Sequence, residues 1–83
     1  MRIRQINLDD DGLPEQVTAE LTRDEALYIA TLLGKQNGIT ANEVMGGGDA
    51  INHEVYDALA GDLFNRYWED GVADAHRGRR EAA

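Results

Sequence analysis

Between Val17 and Leu33 the spacing of apolar residues changes from two to three and four. Val17, Ala19 and Leu21 alternate with Thr18, Glu20 and Thr22, the pattern of a strand with one buried face. Beyond this point Ala26, Ile29, Ala30 and Leu33 share one helical stripe, flanked by Leu27 and Leu32, while Asp24, Thr31 and Lys35 face away. At the junction Thr22 stands three residues before Glu25, which is the spacing of a capping box. The Thr hydroxyl accepts from the backbone N–H of Glu25, and the Glu carboxylate reaches back to the N–H of Thr22. The pattern predicts a strand leading directly into a helix from about Arg23 to Gln36. Gly38, after Asn37, is its expected left-handed C′ residue.

Upstream, residues 2 to 8 predict a first strand. Ile6 and Leu8 fall on one face and Ile3 on the other, a break that a bulge or a late strand start would explain. Asp9-Asp10-Asp11-Gly12 is turn chemistry, and Pro14 fits only a strand start or an edge. With a second strand from about Glu15 to Leu21, the N-terminal region reads as a hairpin. An isolated hairpin is unstable in water, so it has to pack on the helices or pair with another chain.

Downstream, residues 38 to 49 read as a connector. Thr40 and Glu43 repeat the capping-box spacing and allow one short helical turn through Met45. Gly46-Gly47-Gly48 then breaks it, and the entropy cost of three glycines predicts mobility. A longer helix is expected from Asp49 or Asn52 to about Asp70, closed by Gly71. Val55, Leu59 and Leu63 form its stripe, with Tyr56, Ala60 and Tyr67 on one flank. At 100° per residue Phe64 and Trp68 lie well round the helix, toward Asp57 and Gly61. Residues 73 to 83 show no apolar periodicity and are expected to fray. The predicted fold is a single small α+β domain over residues 1–72, a β-hairpin followed by two packed α-helices (ββαα), with a flexible Arg-containing tail over 73–83.

Charge narrows the choice of partner. The 83 residues carry a formal charge of −8. Residues 1 to 75 hold 15 acids against 5 bases, and the last eight residues hold Arg77, Arg79, Arg80 and Glu81. So acidic a body is repelled by phosphates, which argues against direct nucleic-acid binding. There is no cysteine and no serine, so disulfides, thiol chemistry and a Ser nucleophile are excluded. No apolar run approaches the roughly 18 residues that span a membrane, and Met1-Arg-Ile-Arg-Gln-Ile6 lacks the apolar core of a signal peptide. A cytoplasmic location is the expectation.

Several motifs suggest chemistry and fall short of it. Asn7, Asp9, Asp11 and Gly12 match the first half of a calcium loop, but the twelfth position is Thr18 rather than Glu. The triple glycine lacks the Lys-Ser/Thr of a P-loop. His53 and Asp57 share a helical face, yet a metal site wants three or four ligands. Asp49, Glu54 and Asp57 are better read as complementing a helix dipole. No inward-facing acid–base pair stands out, so no enzymatic activity and no cofactor are expected.

The residues selected as a protein-binding surface are Asp57, Gly61, Phe64 and Trp68, joined by Tyr28. A small residue beside large aromatics makes a notch for a partner side chain, and Trp is enriched in binding hot spots. The competing reading places both rings in the core, because aromatics supply much of a small interior.

Val17-Thr-Ala-Glu-Leu-Thr-Arg-Asp-Glu-Ala26, Ile29-Ala-Thr-Leu-Leu-Gly34 and Val55-Tyr-Asp-Ala-Leu59 together resemble small orphan accessory proteins of actinobacterial bacteriophages. The resemblance spans roughly residues 17 to 65 and leaves out the first strand, the triple glycine and the Arg-rich tail. It implies an accessory phage protein acting in the host cytoplasm by binding a host or phage protein. Two other expectations stand beside it. One is a nucleic-acid mimic that uses its carboxylates to inhibit a DNA- or RNA-binding protein. The other is a structural homodimer built through the hairpin edge or the second helix.

Overall fold

The computed structural model of the protein describes residues 1–82. Strands β1 (Arg2–Leu8) and β2 (Pro14–Glu20) form an antiparallel hairpin. Four helices follow: α1 (Arg23–Gly34), α2 (Gly38–Val44), α3 (residues 48–67) and α4 (Val72–Ala82). The architecture is therefore α+β, as expected, but with four helices where the sequence predicts two.

The hairpin turn is closed by Asp9. Its carboxylate accepts from the backbone N–H of Asp11 at 2.9 Å and of Leu13 at 3.0 Å, while Gly12 takes a φ of 79°. These bonds give the Asp9–Gly12 segment a turn role in which the carboxylate faces its own backbone.

The broken alternation of β1 has a structural cause. Ile3 lies across from Ala19 and Ile6 across from Val17, with the register shifting between Ile3 and Gln5. Val17 and Ala19 share a face of β2 because they are two residues apart. The extra residue, Arg4, returns Ile3 to the same face as Ile6. The hairpin thereby gains one apolar face from Ile3, Ile6, Leu8, Val17 and Ala19. Its other face is polar, with Gln5, Asn7 and Gln16 linked side chain to side chain.

At the strand-to-helix junction the capping box is formed as the spacing predicts. Glu25 Oε1 accepts from Thr22 N–H at 2.8 Å, and Thr22 Oγ1 accepts from Glu25 N–H at 3.1 Å. Helix α1 stops earlier than expected, at Gly34 with Lys35 as C-cap. Asn37 does not end this helix; it starts the next, because its carboxyamide accepts from Thr40 N–H at 2.9 Å and Thr40 Oγ1 accepts from Asn37 N–H at 2.9 Å. Gly38 is accordingly the first residue of α2 and not a left-handed terminator. The expected single turn in the connector becomes two turns of helix.

The triple glycine is a tight corner. Gly47 has a φ of 77° and caps α3, and Gly48 is buried against Ala41 of α2. Asn42 Oδ1 accepts from Asp49 N–H at 3.0 Å and fastens the two helices together.

Helix α3 opens as an α-helix over Gly48–Asp57, widens to a π-helix over Ala58–Phe64 and closes with Asn65–Tyr67. The widening decides where the aromatics go. Asn52, Tyr56, Ala60, Phe64 and Trp68 repeat every four residues. On a continuous α-helix such a ladder drifts by about 40° per step. The wider i→i+5 turn holds more residues and winds the drift back. Ala60 and Phe64 therefore face the interior, whereas Val55, which straight α-periodicity places on the buried stripe, remains exposed.

After Tyr67 the chain leaves the helix: Trp68 is extended and Gly71 turns with a φ of 59°. The helix expected to reach Asp70 is three residues shorter, and a fourth helix starts at Val72. Here the sequence predicts a frayed tail. The expected tail's last residue, Ala83, lies outside the described residues. Helix α4 is held by small side chains. Ala75 packs into a cluster with Ala26, Leu27 and Ala30 of α1 and with Phe64, bordered by Leu59, Leu63, Trp68 and Val72. Alanine against alanine lets backbones approach closely and leaves no large-residue stripe in the sequence. His76 adds a bond to α1. The hydroxyl of Thr31 donates to Leu27 O at 2.7 Å, so it accepts from Nε2–H of His76, also at 2.7 Å.

Candidate functional site

Five residues singled out by the sequence as one binding surface occupy separate places. Phe64 is fully buried at 0% exposure and belongs to the core, which removes it from any surface. Trp68 is half-buried; its ring lies 5.5 Å from that of Phe64 and receives the Arg23 guanidinium at 5.9 Å. It lines a shallow cleft with Leu21, Ala26, Leu63 and Tyr67. Asp57 and Gly61 are exposed and line a different depression beside Tyr56, Asn65 and Val72. Tyr28 projects from α1 and lines a third cleft. The structure thus brings Asp57 and Gly61 together and separates them from Trp68 and Tyr28. The π-helical turn accounts for Phe64, which it rotates into the interior, while Tyr28 stands apart because it belongs to α1.

The apolar surface the sequence reading missed is the hairpin. Ile6 and Val17 form a directly opposed pair and are 51% and 52% exposed. Ile3, Leu8 and Leu13 are at least as open on average, and among the described residues no helix makes an extensive contact with either strand. The signal was present in the Val17-x-Ala19-x-Leu21 alternation, but alternation says only that one face is apolar, not that this chain covers it.

Where the open end of the hairpin meets α1 there is a cleft of about 560 Å³, lined largely by carbon from Met1, Leu21, Leu27, Tyr28 and Ile29. Its polar rim is Asp24, Glu25, His76 and Arg79. The Glu25 carboxyl is held down from an ordinary 4.5 to about 2, first by the bond from the N-terminal ammonium and then by the Thr22 N–H. One carboxylate therefore closes the helix cap and tethers the first residue of the hairpin.

Several of the acidic groups are paired with nearby cations. Glu20 pairs with Arg4 at 2.7 Å, Asp24 with Arg79 at 3.2 Å, Asp70 with Arg77 at 3.1 Å, and Asp49 with His53 at 3.8 Å. Asp74 also meets Arg77. These carboxylates are spread over different elements and neutralised locally. His53 turns to Asp49 rather than to Asp57. Among the described residues no group of three or more His, Asp or Glu side chains is placed to hold a metal ion. Nor is any helix among them long and apolar enough to cross a membrane.

No family model matches the chain, and neither a curated protein nor a solved structure gives a match.

Proposed function

We propose that this is a small acidic, non-enzymatic accessory protein that works by binding another protein, and that the binding element is the apolar face of its N-terminal hairpin. The observation that carries the reading is the opposed pair Ile6 and Val17, which is half-exposed on a face that no described helix of the chain covers. Apolar residues gathered on one side of a sheet and left open are the ordinary mark of an interaction site. The resemblance to phage accessory proteins agrees with such a role and suggests the host cytoplasm as its setting. The helices serve as the body that fixes the hairpin in place through the Thr22–Glu25 cap.

A photo-reactive side chain at position 6 tests this directly, with position 5 on the polar face as control. In cells producing the protein, irradiation is expected to attach a protein at position 6 and little at position 5. Equal yields at both positions, or none at either, would sink the assignment of this face.

A further inference from the structure

The molecule exposes 6508 Å². A compact monomer of 9.2 kDa exposes roughly 4,900 Å². The radius of gyration, 14.9 Å, likewise exceeds the roughly 12 Å expected for this length. The hairpin contributes to this extension, because no helix makes an extensive contact with it among the described residues.

Helix α1 carries a second unmatched surface. Asp24, Tyr28, Leu32 and Lys35 follow at spacings of four, four and three residues, so they share one stripe, and all are exposed. Tyr28 is 69% and Leu32 47% exposed. Lys35 is the only lysine of the chain and makes no ion pair among the described residues. This stripe and the apolar face of the hairpin border the same cleft. Met1 and Leu21 line it from the base of the hairpin, and Tyr28 lines it from α1. Leu21 continues the row of Val17 and Ala19, so the hairpin turns its apolar face, not its polar one, toward α1.

We infer that the hairpin closes like a flap onto the exposed stripe of α1, and that the closed state withholds the docking face until a partner displaces the helix. The inference rests on the reading of that face as the docking surface and adds its regulation. Two attachments hold the base of the flap, the Leu21–Thr22 link and the Met1–Glu25 tether, and two attachments leave one hinge axis across the strands. About that axis the distances agree. At about 3.3 Å per extended residue, Ala19 stands about 10 Å and Val17 about 17 Å from Thr22. At about 1.5 Å per helical residue, Tyr28 stands about 9 Å and Leu32 about 15 Å from the same point. Closure therefore sets the Ile3–Ala19 pair on Tyr28, a small side chain beneath a ring, and the Ile6–Val17 pair on Leu32. Apolar surface left in water on both elements is removed together.

Charge agrees with the same direction of closure. The turn lies beyond Pro14, about 26 Å out, and Lys35 stands about 20 Å along α1 with a flexible four-carbon stem to span the remainder. The Asp9 carboxylate is engaged by the turn's own backbone, whereas Asp10 and Asp11 make no ion pair among the described residues. Closure brings these two carboxylates to the one lysine.

The absence of cysteine makes the test clean. Two double variants are compared, Val17→Cys with Leu32→Cys, and Gln5→Cys with Leu32→Cys, the second reaching from the polar face. A disulfide needs its two side chains turned toward each other, so under mild oxidation the first pair is expected to close within the chain about tenfold faster than the second. Mass spectrometry distinguishes this from cross-linking between chains, and circular dichroism checks that the helices remain. With the photo-reactive side chain at position 6 added to the first pair, oxidation is expected to lower the yield of protein adduct about fivefold, and reductant to restore it.

Equal closure rates in the two pairs, or no closure in either, overturn the flap, and an adduct at position 6 would then leave the docking face standing without it. A pair that closes while position 6 couples equally well in the oxidised and reduced forms overturns the regulation. If the pair closes and the reduced form couples to nothing, the docking reading has failed, and the regulatory role falls with it.

Discussion

Gly48 opens α3 with its α-carbon turned onto the backbone carbonyl of Ala41, so that a β-carbon added there would fall on the carbonyl oxygen itself. The obstacle is backbone and cannot rotate away. The α2–α3 corner is held by this approach and by the bond from Asp49 N–H to Asn42. Gly48→Ala is expected to destabilise the protein by about 1–3 kcal/mol, the usual cost of overpacking. Gly46→Ala, with nothing within 4 Å and no positive φ, should change little. Chemical denaturation of the two variants separates them; equal midpoints would contradict the corner.

Phe64 and Trp68 are four residues apart but differ in burial. Phe64→Ala should cost roughly 3–5 kcal/mol and leave much of the population unfolded. Trp68→Ala, at a half-buried site, should cost clearly less and leave the helical circular dichroism intact. If the order were reversed, the π-helical turn would be misplaced.

Gly61 lies in the π segment with an ordinary φ, and a β-carbon added there would meet nothing within 4 Å. Replacing it with Ala should stabilise the helix by about 0.5–1 kcal/mol. Binding through the hairpin should be unaffected. A loss of partner or self-association in Gly61→Ala would return the binding surface to the Asp57–Gly61 depression.

Glu25 carries a pH dependence whose direction follows from its partners. Its carboxyl is lowered from 4.5 to about 2 by the N-terminal ammonium and the Thr22 N–H. A depressed acid stabilises the folded state fully above its ordinary value and loses that contribution as pH falls through the folded one. Melting temperature should therefore drop between about pH 4.5 and pH 2 in the native chain, with a shallower slope in Glu25→Gln. Identical acid slopes would remove Glu25 from the account. Independently of pH, Thr22→Ala should cost about 1 kcal/mol through loss of the cap.

The sequence was most legible where local bonds decide the structure. The Thr22–Glu25 spacing predicted the strand-to-helix junction, and Asp9 to Gly12 predicted the turn. It was least legible where packing decides. Ala75 carries no apolar signal, yet it closes α4 onto Ala26 and Ala30 because small side chains permit that approach. Asn37 reads equally well as the end of one helix or the cap of the next, and only the bond to Thr40 resolves it. Phe64 was assigned to the surface because a straight 100° helix places it outside; one widened turn moves it inside. The hairpin's apolar face is visible in the alternation, but alternation cannot show whether its cover comes from within the chain.

Among the described residues the hairpin joins the body through Leu21 and Thr22 and through the tether between Met1 and Glu25. Seven strand residues reach about 23 Å at 3.3 Å per residue, which makes the hairpin a lever with its pivot at Thr22. A rotation of about 10° at that pivot sweeps the Asp10 end through about 4 Å. The aim of the whole arm is thus set by the Thr22–Glu25 cap together with the Met1–Glu25 tether, so a single carboxylate at the base bears on what the distant tip can touch.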